Sequence, residues 1–386
     1  MAPIPYGKQE ITNDDIQAVL QVLKSDFLTQ GPKVEQFEKE FAKYVGAKYA
    51  VAVSSGTAAL HLSNLAIGIK KGAKVITSPI TFVASANAVL YCGGEIDFVD
   101  IDEKTYTIDL EQVEEKLKNS PKGTYSAIIP VDMAGYPVNV EKLRQIADKY
   151  DLYIIEDSCH APGAYFIDSN NKKQLVGNGN FSDLQIFSFH PVKHIATGEG
   201  GMITTNNKAL YDRLISLRTH GITKSKERMT QNDGGWYYEM QELGFNYRLS
   251  DIHAALGISQ LKRANENIIK RNTIAQRYNE AFKSINGIRT PFVDNNVFHA
   301  YHLYIIQVQK RKELYDYLKK HNIFTQVHYI PVHLQPYYKK LGWKKNDFPK
   351  AEAYYEHCLS LPMFPTLTDN EQEYVIEKIK EFFKNN

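Results

Sequence analysis

Seven short apolar runs, at residues 49–53, 74–77, 95–99, 126–131, 152–156, 184–187 and 202–205, recur along the first half of the chain. Their hydrophobicity is continuous rather than alternating, which marks strands covered on both faces. Helical patterns at 56–68, 81–92, 109–118 and 139–150 fall between several of them. The economical solution is an α/β domain built on a mostly parallel sheet covered by helices. Upstream, 12–45 reads as two amphipathic helices joined by a turn at 28–32, with Asn13 as N-cap and Leu20, Val22, Leu23, Val34, Phe37 and Phe41 as apolar contacts. Downstream, 207–219 and 250–284 read as longer helices, the second leading to mixed strands and helices from about 288. The expected division is a large domain over 1–250, then a linking helix and a smaller α/β C-terminal domain over 251–386.

Lys and Arg (46) exceed Asp and Glu (44) by two, so the chain carries no charge excess to recommend nucleic acid or an anionic membrane as partner. The three cysteines, Cys92, Cys159 and Cys358, are far apart and form no C-x-x-C, which supports neither a disulfide framework nor a structural zinc site. No stretch approaches the roughly 18 apolar residues of a membrane span, and the first residues lack a secretory pattern. A cytoplasmic enzyme or binding protein is expected. No G-x-x-x-x-G-K-[ST] is present, and neither 177–179 nor 198–201 has the context of a dinucleotide fingerprint. Pro191 discourages a helix that would align His190 with His194, and no metal site is expected.

Three stretches carry chemistry. Ile186-Phe187-Ser188-Phe189-His190-Pro191-Val192-Lys193-His194 places one lysine in a loop after an apolar strand. Desolvation there would disfavour the ammonium and suit a Schiff base, although a lysine reaching solvent is the bland alternative. Tyr153-Ile154-Ile155-Glu156-Asp157-Ser158-Cys159-His160 puts an acidic pair at the C-terminal end of a buried strand, where open α/β sheets bind ligands. Asp157 either protonates a cofactor ring nitrogen or caps a following helix. Ser54-Ser55-Gly56-Thr57 joins a strand to a helix start; it is either a simple N-cap or a phosphate site made by free N–H groups and the hydroxyls of Ser55 and Thr57. Lys224, Lys226 and Arg228 read as a solvated basic run, and Trp236-Tyr237-Tyr238 as a sugar platform, core or interface.

Taken in order, Ser55-Gly56-Thr57, Thr81-Phe82-Val83-Ala84-Ser85-Ala86-Asn87, Glu156-Asp157, 188–193, 198–201 and Gly244-Phe245-Asn246-Tyr247-Arg248 resemble the DegT/DnrJ/EryC1/StrS family of sugar aminotransferases over almost the whole chain. The resemblance implies the aspartate aminotransferase fold (fold type I) and pyridoxal 5'-phosphate as cofactor. It implies Lys193 as the Schiff-base lysine, Asp157 on the pyridine nitrogen, Phe82 stacked on the ring and His160 near the ring hydroxyl. Ser188 and the turn Ser55, Gly56 and Thr57 would hold the phosphate, with Asn246 reaching the phosphate of a partner subunit in a homodimer. Tyr6, the run Asp26, Phe27, Leu28, Thr29, and the run Gln326, Val327, His328, Tyr329 would contact the nucleotide sugar. A dehydratase branch of the family has histidine in place of the lysine; Lys193 favours amino transfer. The runs 187–193, 218–222, 240–249 and 326–329 are most similar to members that aminate C4 of a UDP-linked 6-deoxy sugar in pseudaminic acid biosynthesis, with L-glutamate as donor. Other nucleotide-linked 4-keto-6-deoxy sugars, a dehydratase or a non-catalytic sugar-nucleotide sensor are the alternatives.

Overall fold

A computed structural model describes residues 2–385. Helices α1 (Asn13–Leu23) and α2 (Pro32–Val45) precede the sheet strands β1 (Tyr49–Val53), β2 (Lys74–Thr77), β3 (Glu95–Phe98), β4 (Tyr125–Ile129), β5 (Tyr153–Asp157), β6 (Leu184–Ser188) and β7 (Gly201–Thr205). Between strands run α3 (Gly56–Ala66), α4 (Ala84–Tyr91), α5 (Leu110–Lys118) and α6 (Val140–Tyr150). The strand order is β1-β7-β6-β5-β4-β2-β3, parallel except for β7, which runs antiparallel to both neighbours. Each expected run forms a strand, shifted by at most two residues at an end. The core strands are buried on both faces, Val51, Ala52, Ile128, Ile154, Ile155 and Ile186 being fully enclosed.

Helix α2 packs on the sheet through Phe37 and Phe41, both with no exposed area. Their rings sit within 5.0–5.5 Å of Phe187 and Phe189, at the end of β6 and just beyond it. Burial of each such side chain stabilises by about 1.5–3 kcal/mol. This aromatic cluster therefore anchors the strand that leads into Lys193.

The N-terminal helices differ from expectation in two respects. The N-cap of α1 is Thr12, not Asn13, because Thr12 and Asp15 form a reciprocal capping box. Val22 is buried, whereas Leu20 and Leu23 are exposed, together with Ile16. Of the apolar contacts that helical periodicity identified, Val22 turns inward, while Leu20 and Leu23 are left exposed within one chain.

The expected long helix over 250–284 is two helices, α8 (Asp251–Leu261) and α9 (Ala264–Phe282), separated at Lys262 and Arg263. The arginine at the break is held by Asp15, which accepts from its Nη1 at 3.0 Å and Nη2 at 2.5 Å. Before them lies α7 (Lys208–Arg218). After them, β8 (Ile288–Arg289), β9 (Tyr304–Val308) and β10 (Cys358–Leu361) form an antiparallel sheet in the order β8-β9-β10. Helix α10 (Arg311–Lys320) lies between β9 and β10, and α11 (Pro336–Lys340) and α12 (Pro349–His357) also precede β10. The chain ends in α13 (Asp369–Lys384). A separate core of Tyr278, Tyr304, Ile306, Leu314, Leu318, Ile376 and Ile379 fills the space under this sheet. The short antiparallel pairings of 165–167 with 173–175 and 297–298, and of 222–223 with 239–240, have no counterpart in the apolar runs; they are too brief for a period to register. Among the described residues, no helix is long and apolar enough to cross a membrane.

Candidate active site

The C-terminal ends of β4, β5 and β6 open onto a cavity of about 590 Å³, walled on the far side by residues that lead into the C-terminal sheet. Asp157, the last residue of β5, is 6% exposed and borders it. Its Oδ2 accepts a hydrogen bond from Ser85 Oγ at 2.6 Å, and Oδ1 accepts from the Cys159 N–H at 3.2 Å. Ser85 Oγ is itself 2.7 Å from Thr81 Oγ1. Ser85 thus holds the carboxylate, and Thr81 in turn holds Ser85. Asp157 caps no helix; a turn follows it.

Helix α3 starts at the same crevice. Ser55 Oγ accepts from the Ala58 N–H at 3.1 Å, so the capping role is real. The first helical N–H groups, of Gly56 and Thr57, have no partner within the helix and carry its positive dipole end. Here glycine is required by contact: a Cβ on Gly56 would lie 3.0 Å from Ser188 Cβ, and one on Gly201 would lie 2.5 Å from Ser55 O. The turn and the ends of β6 and β7 therefore close into a cradle of N–H and hydroxyl groups suited to a phosphate. Ser55, Gly56, Thr57 and Ser188 all line the cavity.

Lys193 lies in the loop after β6, its N–H donating to His190 O at 2.8 Å, and it lines the same cavity. Burial pushes its pKa below the ordinary lysine value, against the smaller pull of Cys159 and Asp157. A larger fraction of free amine is the consequence. His160 is buried nearby, its Nε2 3.2 Å from Tyr329 Oη. Burial first, then Lys193, holds its imidazole well below the usual histidine range, so it is neutral. Its Nδ1 is buried without a partner. Phe82, 58% exposed, lines the cavity with its ring 6.2 Å from that of Tyr329.

The opposite wall comes from the C-terminal half. Gln326 and Ser360 exchange backbone hydrogen bonds, extending β10 toward the cavity, and His328 Nδ1 sits 2.8 Å from Ser360 Oγ. Tyr354 Oη donates to His328 O at 2.7 Å. Tyr6 is tied to the same wall, its carbonyl accepting from the Met363 N–H at 2.9 Å and its ring 5.3 Å from that of His328. Tyr6 and all four residues of the Gln326, Val327, His328, Tyr329 run line the cavity.

The structure does not bring every expected residue there. Asp26, Phe27, Leu28 and Thr29 form an exposed turn between α1 and α2, outside the cavity of their own chain. Asn246 is exposed too. The strap that carries it runs beside the Ser55-Gly56-Thr57 turn, since the Ser54 N–H donates to Tyr247 O at 2.8 Å, but Asn246 does not line the cavity of its own chain. Polar cavity residues given no role in the sequence analysis include Thr81, Cys159, Glu199, His302 and Gln335. The spacing Thr81-x-x-x-Ser85 was a usable signal, placing both hydroxyls on one face of a helix start; His302 carries none, being one polar residue before a strand.

The donor set fits pyridoxal phosphate: an anion cradle at a helix start, a lysine of lowered pKa, a buried carboxylate and a neutral imidazole with an unpartnered nitrogen. A family model described as the DegT/DnrJ/EryC1/StrS aminotransferase family matches residues 9–380. The chain belongs to this family. Among curated relatives, the spore coat polysaccharide biosynthesis protein SpsC of Bacillus subtilis is 41% identical, covering 99% of this chain and 97% of its own. A UDP-4-amino-4,6-dideoxy-N-acetyl-β-L-altrosamine transaminase of Campylobacter jejuni is 37% identical, with 98% and 99% covered. A GDP-perosamine synthase of Escherichia coli is 33% identical over the full length of both chains. Among solved structures, a sugar aminotransferase of Streptococcus pneumoniae in its PMP form superposes with a TM-score of 0.91 at 30% identity, covering 99% of each chain. PseC of Helicobacter pylori, an aminotransferase involved in pseudaminic acid biosynthesis, gives 0.88 at 31% identity, covering 100% of each. As a member of the DegT/DnrJ/EryC1/StrS family, the protein is a sugar aminotransferase with the fold type I architecture and uses pyridoxal phosphate.

Proposed function

We propose that the enzyme transfers the amino group of L-glutamate to the C4 ketone of a UDP-linked 2-acetamido-2,6-dideoxy-hexos-4-ulose of L-arabino configuration. The product is UDP-4-amino-4,6-dideoxy-N-acetyl-β-L-altrosamine, an intermediate of pseudaminic acid biosynthesis. The observation that carries this reading is the end-to-end similarity to the C. jejuni transaminase. The H. pylori PseC structure supports it over the same length.

Pyridoxal phosphate, when bound, supplies the carbonyl that takes up the amino group and the ring that draws electrons from the reacting carbon. The protein supplies the rest. Gly56, Thr57 and Ser188 hold the phosphate, and Asp157, steadied by Ser85, keeps the proton on the ring nitrogen. With the cofactor bound, Lys193 Nζ would take the proton from glutamate Cα and, after the keto sugar enters, would return a proton to C4 from one face, which would set the product configuration. Tyr6 and the 326–329 run orient the sugar nucleotide at the mouth.

The site is shared between two copies of the chain in this reading. Phosphate, diphosphate and carboxylate ligands all bring negative charge, yet Lys193 is the one Lys or Arg that lines the cavity among the described residues, beside the carboxylates Asp157 and Glu199. Further donors come from a partner's Asn246 strap, and the exposed face of Ile16, Leu20, Leu23, Phe27 and Leu28 is apolar surface of the kind a dimer covers.

A second reading, amino transfer to another nucleotide-linked 4-keto-6-deoxy sugar, is favoured by the full-length match to the GDP-perosamine synthase. One experiment separates them: steady-state turnover with glutamate and each of three substrates, the L-arabino UDP sugar, its D-xylo epimer and a GDP-linked 4-keto-6-deoxy hexose, with products assigned by NMR. The expected result is a kcat/KM at least about tenfold higher for the L-arabino sugar. Preference for either competitor moves the enzyme to the second reading.

A further inference from the structure

His302 lines the cavity but has no part in the chemistry above. It lies two residues before β9 and is 4% exposed. Its ring rests on that of His160, with centroids 4.3 Å apart and planes inclined by 34°, and lies 5.7 Å from the ring of His194. The segment that carries it, 299–303, is pinned from several sides. Arg271 of α9, 2% exposed, donates through Nη1 to Tyr301 O at 3.1 Å, His302 O at 3.3 Å and Met363 O at 3.0 Å. Asn272 Nδ2 donates to His299 O at 3.1 Å, and His194 Nε2 bonds Ala300 O at 2.9 Å. The Ala300 and Leu303 N–H groups donate to Gly135 O at 2.9 Å and Ala134 O at 3.2 Å. The two N–H groups of this one nitrogen are shared among three carbonyls, which gathers 301, 302 and 363 around it. The same guanidinium also steadies Tyr6, through Met363, whose N–H donates to Tyr6 O.

We propose that His302 is a positioning residue for amino transfer: delivered by the Arg271 clamp, its ring fixes the plane of His160 and thereby the contact of His160 Nε2 with Tyr329 Oη at the cavity wall. The contact with His160 is made by the ring, at 4.3 Å between centroids, and His302 Nδ1 is buried without a partner. Burial, then the charge of Lys193, holds His302 well below the usual histidine range, so it stacks as a neutral ring. The proposal rests on the cavity being the amino-transfer site and is independent of which sugar enters it.

Two variants of the holoenzyme separate ring from nitrogen. His302→Gln keeps polarity and much of the volume but removes the ring; His302→Phe keeps a ring and removes the nitrogens. The readouts are the rate at which L-glutamate bleaches the yellow band of the bound cofactor, the pH midpoint of that band without substrate, and the thermal midpoint. The expected result is bleaching about tenfold slower and a displaced band midpoint for His302→Gln, with His302→Phe within about twofold of the native enzyme and an unmoved midpoint. Native bleaching and band midpoint in His302→Gln would overturn the proposal, even with a lowered thermal midpoint, because only packing would then be at stake. His302→Phe as impaired as His302→Gln would overturn it by placing the effect in the nitrogens. If the native enzyme itself fails to bleach, the amino-transfer reading falls, while the band midpoints still decide the role of His302.

Discussion

Asp157 shows how little sequence distance matters at the scale of one residue. Its carboxylate is held by Ser85, 72 positions away, and by the Cys159 N–H two positions on. Asp157→Asn retains size and the Ser85 contact but cannot keep a proton on a pyridine nitrogen. It should keep the fold and the thermal midpoint while lowering the glutamate half-reaction by about 100-fold or more; a rate within twofold of native would remove Asp157 from that role. Lys193, Asp157 and the 55–57 turn were legible because each sits where a strand ends, a place set by local pattern. Ser85 and His302 act through contacts that only the folded chain makes.

The buried imidazoles also have a solution consequence. Burial holds His160, His194 and His302 well below the usual histidine range and His299 and His328 down to about 3. Their unfolded values are ordinary, so below about pH 6.5 the unfolded chain binds protons that the folded chain refuses. Stability is full above that pH and falls as pH drops, by up to about 1.4 kcal/mol per pH unit for each such group. Urea midpoints measured from pH 8 to pH 5 should decline steadily below 6.5; a flat profile would mean that these rings are not buried neutral in solution.

At the scale of elements, the caps and helix faces show which sequence patterns sufficed. The N-cap of α2 is Gly31, which has no side chain to serve, and the missing acceptor comes from α8: Asp251 Oδ2 accepts from the Gly31 N–H and Oδ1 from the Lys33 N–H, both at 2.8 Å. Asp251 has no exposed area. Asp251→Ala leaves two partly buried donors without their acceptor and should cost about 1 kcal/mol, seen as a lower urea midpoint with unchanged slope; a loss under about 0.3 kcal/mol would show the cap to be dispensable. A sequence reader sees Asp251 as an ordinary first-turn acid of its own helix. Strand positions were readable because doubly covered strands concentrate apolar residues. The division of 250–284 was not, because neither Lys262 nor Arg263 at the break is a glycine or proline; Arg263 there pairs with Asp15, 248 positions earlier. For α1, periodicity predicted a face but not its partner, and Leu20 and Leu23 stand exposed.

For the whole molecule, the claim with most reach is that one chain does not hold a complete site. The exposed Asn246 and the apolar face of α1 both fit a second copy. Co-expression tests this by complementation. Lys193→Ala and Asn246→Ala are each expected to be nearly inactive alone. If Asn246 serves the neighbouring site, a mixed dimer has one site with native Lys193 and the partner's native Asn246, and an equal mixture should recover about a quarter of native activity. If Asn246 serves its own chain, both sites of the mixed dimer are damaged and no activity returns.

The most direct measurement is the visible spectrum of the purified holoenzyme through one complete cycle. L-Glutamate should bleach the yellow band of the bound cofactor, and the UDP-linked L-arabino 4-keto sugar should restore it, while Lys193→Ala does neither. A band that glutamate leaves unchanged, or a Lys193→Ala protein that cycles at the native rate, would contradict the assignment of this cavity and its lysine to amino transfer.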